Sequence, residues 1–96
     1  MTDAALPPVI HNRAASRFEV QVDGSLCVAE YRLSGQVMHM THTLVPSAVE
    51  GRGIAAHLVR HALEWARQEH LKVDPICSYV RVYMKRHPDT LPLMQG

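Results

Sequence analysis

The chain has 96 residues, which sets the expectation of one domain with a small core. Hydrophobic residues make up 47% and charged residues 20%, a globular balance rather than a disordered one. The net charge of +1 gives no electrostatic reason to expect nucleic acid or an anionic membrane as partner. The two cysteines, Cys27 and Cys77, do not amount to a disulfide framework, and no apolar run is long enough to span a bilayer. The stretch "MTDAALPPVIHNRAAS" lacks the basic start and apolar core of a signal peptide. A reduced, cytoplasmic protein is the expectation.

Residues 1–14 contain Pro7-Pro8 and many small side chains, and are expected to form a flexible lead-in to a domain over 15–96. "RFEVQVDG" sets Phe18, Val20 and Val22 against Glu19, Gln21 and Asp23, a strand period closed by the hairpin signal Asp23-Gly24. "SLCVAEYRLSG" is the partner strand and "QVMHMTHTLV" a third, giving an antiparallel meander. From Gly53 the period becomes helical, with Ile54, Leu58, Ala62 and Trp65 on one face and Arg60, Arg67, Gln68 and Glu69 opposite. This helix is expected over about 53–70. "LKVDPICSYV" follows as a short buried strand over 72–79 broken by Pro75, "VRVYMKRH" as a helix over about 80–87 stopped by Pro88, and "DTLPLMQG" as a loop packed by Leu91, Leu93 and Met94. A strand–helix–strand crossover makes its two strands parallel neighbours. The predicted fold is therefore α+β: a four-stranded sheet in which an antiparallel meander is extended by one parallel strand, with helices packed on it.

The stretch "VPSAVEGRGIAAHLVRHAL" joins the third strand to the long helix. The first amides of a helix have no intrahelical acceptor, and the helix dipole adds positive charge there. Glycines at 51 and 53 let a bulky phosphate approach those amides, Ala55 does not obstruct it, and Arg52 adds charge. A plain tight turn is the other reading of the same residues.

Those residues resemble the acyl-coenzyme A loop of the GNAT superfamily of N-acetyltransferases, which reads Arg/Gln-x-x-Gly-x-Gly/Ala. Gly53 and Ala55 match it, and Glu50 stands where the family has Arg or Gln. "YRLSG", "HTLVP", "GRGIAAHLV", "PICSYV" and "RHP" follow the order of a minimal single-domain GNAT subfamily over roughly residues 15 to 94. The resemblance implies a GNAT-like fold and acetyl-coenzyme A as cosubstrate, held by Val45, Gly51, Arg52, Gly53, Ile54 and Ala55. Lys85 and Arg86 fall near the expected adenine end, where they would hold the ribose phosphate or form a solvated basic face. An unknown amine, small molecule or protein, is the implied acceptor. The subfamily lacks outer elements that shape an acceptor site in larger relatives. A coenzyme-binding module without catalysis is therefore the alternative.

The catalytic candidates are Cys77, His42 and Tyr83. Cys77 is expected at the end of the strand beside the glycine turn, as an acyl-accepting nucleophile, a wall of the acyl pocket or an inert buried thiol. His42 ends the third strand and is the candidate to deprotonate an amine or activate Cys77, with a backbone-bonded histidine as the plain reading. Tyr83, one helical turn after Tyr79, corresponds to a tyrosine that protonates the departing thiolate in many GNAT enzymes. Packing by its ring is the alternative role. Cys27 is expected in the core, and His39 on the other face of its strand, exposed or packed. His57 and His61 share a helix face, but "HLVRH" lacks the glutamate of a zinc motif, so no metal is expected. His11 and His70 are expected in solvent, and His87 at the end of the last helix.

Overall fold

Alternation of apolar and polar side chains builds the strands, and the switch to helical spacing after Gly53 ends them. The computed structural model describes residues 6–95. Strands β1 (Ile10–Asn12), β2 (Arg17–Val22), β3 (Ser25–Ser34) and β4 (Val37–Leu44) are followed by a 3-10 turn at Ser47–Val49. Helix α1 (Ile54–Gln68), strand β5 (Lys72–Pro75), helix α2 (Ser78–Arg86) and a 3-10 helix (Pro88–Leu93) complete the chain. The sheet runs β1-β2-β3-β4-β5, antiparallel throughout except that β4 and β5 are parallel, as the crossover requires. No helix of the described residues is long and apolar enough to cross a membrane.

Both helices pack on one face of the sheet. Ile54, Leu58, Val59, Ala62, Leu63 and Ala66 of α1, with Val80, Tyr83 and Met84 of α2, close over Phe18, Val20, Ala29, Met38 and Met40 in one core. Cys27 lies in that core as expected, fully buried. The unbranched methionines fill the irregular wedge between two helices and a twisted sheet. Val28 is also buried but belongs to the other face, outside this core.

Several features differ from the sequence reading. The sheet has five strands, because Ile10–Asn12, inside the expected lead-in, pairs with Arg17–Glu19. Three residues are too few to show a period. Ring contacts hold this strand instead: His11 stacks on Phe18 at 4.0 Å, meets the edge of Trp65 at 4.5 Å and sets Nε2 2.6 Å from the Tyr31 hydroxyl. His11 is thus half-buried rather than solvated. Residues 1–5 of that expected lead-in lie outside the described residues.

The expected break at Pro75 is the end of the strand, and residues 76–79 add nothing to it. The chain turns there at once, Ile76 N–H donating back to Asp74 O at 3.0 Å instead of on to β4. α2 consequently starts at Ser78 and not near 80. The tail is a 3-10 helix rather than a loop, pinned by the buried Thr90 hydroxyl donating to His87 O at 2.7 Å. Leu93 and Met94 pack on the core as expected, whereas Leu91 is exposed. Gln95 N–H donates to Val73 O at 2.8 Å and Met94 bridges Val73, so the tail covers the outer edge of β5.

Burial pushes the His11 imidazole below its ordinary value of 6.5, and the Arg13 guanidinium pushes the same way. Between that value and the lower folded one, the unfolded chain binds a proton that the folded chain does not. The His11 contribution to stability is complete above 6.5 and is lost as pH falls through the folded value. His11→Gln removes this proton, so its Tm is expected to vary less than that of the parent between about pH 5 and about pH 7.5. Parallel Tm curves for the two proteins would show that His11 carries no such linkage.

Candidate functional site

The connection from β4 to α1 is built almost entirely from backbone. Val49, 1% exposed, anchors the 3-10 turn, whose amides are used internally: Val49 N–H donates to Pro46 O and Glu50 N–H to Ser47 O. Gly51 and Gly53 then take φ of 82° and 77°, a region that disfavours side chains. A Cβ at either glycine would meet no described atom within 4 Å, so the space above them is open. α1 starts with no side-chain cap and no acidic residue in its first turn. His57 N–H is bonded to Gly53 O at 3.0 Å, which leaves the amides of Ile54, Ala55 and Ala56 ahead of it without an intrahelical acceptor. A cleft of about 300 Å³ opens over this turn, lined by Val45, Glu50, Gly51, Gly53, Ala55 and Tyr79 among others. The Arg52 side chain does not line this cleft. Its guanidinium lies 2.6 Å from Asp23 on the β2–β3 turn, a pair with both partners largely in solvent.

Beside this cleft β4 and β5 separate. Their pairing covers Val37–Met40 against Lys72–Pro75, and β4 continues alone from Thr41 to Leu44. Cys77 sits at the parting point. It is the N-cap of α2, not a strand residue, and its N–H donates to Met40 O at 2.9 Å. Its thiol is half-buried, 3.6 Å from the Thr43 hydroxyl. Burial alone would push this thiol up. The Thr43 hydroxyl and the leading amides of α2, Val80 and Tyr79, outweigh it and leave the thiol below its ordinary value. Burial pushes the Cys27 thiol up, with nothing to oppose it.

The structure does not bring His42 to Cys77. A bulge in the β3–β4 pairing at Glu30/Tyr31 inserts Thr41 as an extra residue and resets the alternation. Thr43 then faces the helix side, toward Cys77, and its neighbour His42 faces away. His42 is 76% exposed, with Nδ1 3.6 Å from Glu30 Oε1. His39, before the bulge, is on that same outer face and meets Asp74.

Tyr83 is buried and stacks on His87 at 4.0 Å. It faces a neighbouring cleft with Gly53, Ala56 and Arg60, while Tyr79 lines the glycine-turn cleft itself. Burial pushes both phenols up. Tyr79 is the residue that the sequence reading passed over. Its signal was the one-turn spacing to Tyr83, once α2 is known to begin at Ser78. Lys85 and Arg86 are exposed in the last turn of α2 and line none of these clefts. Arg60 lines the cleft beside Tyr83, and no ion pair holds it among the described residues. His57 Nε2 lies 2.8 Å from Pro7 O and His61 Nδ1 2.9 Å from His57 O, so one ring nitrogen of each is taken by a backbone carbonyl.

A family model described as GCN5-related N-acetyl-transferase matches residues 17–93, which include the glycine turn, both parting strands and α2. The chain belongs to this family. Protein NATD1 of Mus musculus is 36% identical over 84 residues, spanning 83% of this chain and 76% of its own length. Protein NATD1 of Homo sapiens is also 36% identical over 84 residues, spanning 83% of this chain and 74% of its own. An NMR structure of a GCN5-like candidate N-acetyltransferase from Staphylococcus aureus matches with a TM-score of 0.70. It covers 100% of this chain and 92% of that one. At 20% identity that likeness speaks to the fold alone, and the fold is the GNAT fold.

The contrast between the two thiols is measurable. With iodoacetamide near neutral pH, Cys77 is expected to be alkylated while Cys27, 0% exposed, is protected. Thr43→Val removes a donor to the thiolate, raises the thiol's pKa and moves the Cys77 rate profile to higher pH. An unchanged profile would show that Thr43 does not tune the sulfur.

Proposed function

We propose that the protein binds acetyl-coenzyme A at the glycine turn and transfers its acetyl group to an amine. The observation that carries this reading is the uncapped start of α1 beside two open glycines, a cluster of free amides matched to a pyrophosphate. Family membership supports the same chemistry. On this reading the amides of Gly51 to Ala55 hold the diphosphate and Val45 flanks the pantetheine arm. The β4 edge beyond Met40 offers peptide groups to that arm, which carries two amides of its own. Arg52 leaves Asp23 for the phosphate at little cost, because exposed ion pairs are weak. The coenzyme supplies the activated thioester.

Two routes fit. The amine attacks the thioester directly, or Cys77 takes the acetyl group first and passes it on. Intact-mass measurement after incubation with acetyl-coenzyme A, with Cys77→Ala and Cys27→Ala as controls, separates them. An adduct that disappears only in Cys77→Ala supports the relay, and amine acetylation surviving in Cys77→Ala leaves direct attack.

Glu50 favours a second reading, a coenzyme-binding module without turnover. Its side chain lines the cleft where the family has Arg or Gln, and Arg52 is held elsewhere. Binding without acetylation of any amine in a panel would support it.

Calorimetric titration with acetyl-coenzyme A tests the site. Gly53→Val is expected to abolish detectable binding, because a branched side chain resists φ of 77° and fills the phosphate approach. Glu50→Gln is expected to tighten binding about fivefold by removing one exposed like charge. The largest amide shifts on titration should fall on Gly51 to Ala55. Shifts concentrated in the β2–β3 hairpin would overturn the assignment.

A further inference from the structure

The sheet face away from the helices carries a histidine–carboxylate pair that the chemistry above does not use. The register sets His39 of β4 beside Asp74 of β5 and across from Arg32 of β3. His39 Nδ1 lies 2.8 Å from Asp74 Oδ2. A carboxylate only accepts, so Nδ1 carries the hydrogen of this bond, and in the neutral ring the lone pair is on Nε2. The His39 side chain is 17% exposed. Its Nε2 has no protein partner, yet no buried side-chain nitrogen among the described residues lacks one, so Nε2 meets solvent.

The position is as informative as the bond. His39 and Asp74 pair one step before the strands part, and the next residue, Met40, is bonded to the Cys77 backbone. The pair therefore stands one step from the end of the β4–β5 ladder, on the sheet face opposite the core. His42 cannot do the same work as readily, because it is more exposed and 3.6 Å from Glu30.

We propose that His39, oriented by Asp74, is the general base for the acceptor amine, and that the amine approaches from the sheet face opposite the helices. This rests on the acetyl-transfer reading above. The amine nitrogen attacks the thioester carbonyl carbon. The C–N bond forms, the C–S bond breaks and the electron pair stays on sulfur. The proton lost from nitrogen passes to His39 Nε2. The thiolate takes a proton from water and the imidazolium returns one to water, so one proton moves in net from nitrogen to sulfur. Asp74 stays ionised, fixing the tautomer and offsetting the imidazolium charge. The other charged groups facing this pair are Lys72 of β5, Arg32 and Glu30 of β3, and His42 of β4 itself. The helices contribute none, since both lie on the other face.

The test compares the intact chain with His39→Gln and Asp74→Asn, using acetyl-coenzyme A with spermidine, benzylamine and a lysine-bearing peptide as probe amines. His39→Gln is expected to lower kcat about 100-fold, with the acetyl-coenzyme A Kd unchanged and the acid limb of the kcat–pH profile gone. Asp74→Asn should lower kcat less and displace that limb. Ring nitrogen NMR should report hydrogen on Nδ1 in the parent and a changed signal in Asp74→Asn. A role confined to pinning β4 against β5 would lower Tm in both variants and leave the pH profile in place, which overturns the proposal. Full transfer by His39→Gln overturns it alone. Absence of coenzyme binding or of transfer by the parent overturns the reading beneath it, and this inference with it.

Discussion

A single turn after Pro75 sets the terms for the rest of this molecule. Ile76 N–H, next in line after Lys72 and Asp74 to donate to β4, bonds Asp74 O instead, which ends the parallel ladder and starts the chain toward α2. Had β5 continued to residue 79, it would have closed over Thr41–Leu44 and joined both strands into an unbroken sheet. Instead the strands part, and Cys77 is placed at the fork by its bond to Met40 O. Backbone groups along an unpaired edge need partners. A ligand bearing amides suits such an edge better than an apolar one.

The bulge opposite Glu30/Tyr31 completes the geometry. One extra residue on β4 lets Met38 and Met40 serve the core before it and turns Thr43 to the same side after it. Without the extra residue, the post-bulge positions would exchange faces, sending His42 to Cys77 and Thr43 to the outer face. A packing device, needed because the sheet twists under two helices, thereby decides which polar group tunes the thiol.

Local signals made much of this fold legible. The Asp23-Gly24 hairpin, the meander and the parallel crossover each follow from residues close together in the chain. Gly51 and Gly53 were legible because a positive φ leaves few alternatives to glycine. What escaped was set by contacts between distant residues. β1 is fastened by His11 against Phe18, Tyr31 and Trp65, and no window around residue 11 contains those partners. The bulge has no mark in "VMHMTHTL", where unbroken alternation reads equally well. Arg52 was read as a phosphate ligand from its place in the loop, and its tie to Asp23 spans 29 positions. His39 and Asp74 lie 35 positions apart, so neither looks special until the crossover lays β5 beside β4.

The division of labour between the two faces follows from how little side-chain chemistry the glycine turn needs. On the acetyl-transfer reading the turn would hold its anion by amides and the helix dipole, which any sequence supplies once the φ angles are met. The helix face of the sheet is therefore free to be a dry core, as Met38, Met40, Leu58 and Val59 make it. The opposite face has no helix to pack against and so tolerates charge, and charge is what it carries: Glu30 with His42, Asp74 with His39. On the transferase reading, the donor is held by backbone on one side and the acceptor is handled by side chains on the other. On that reading the two substrates would meet where β4 and β5 part beyond Met40.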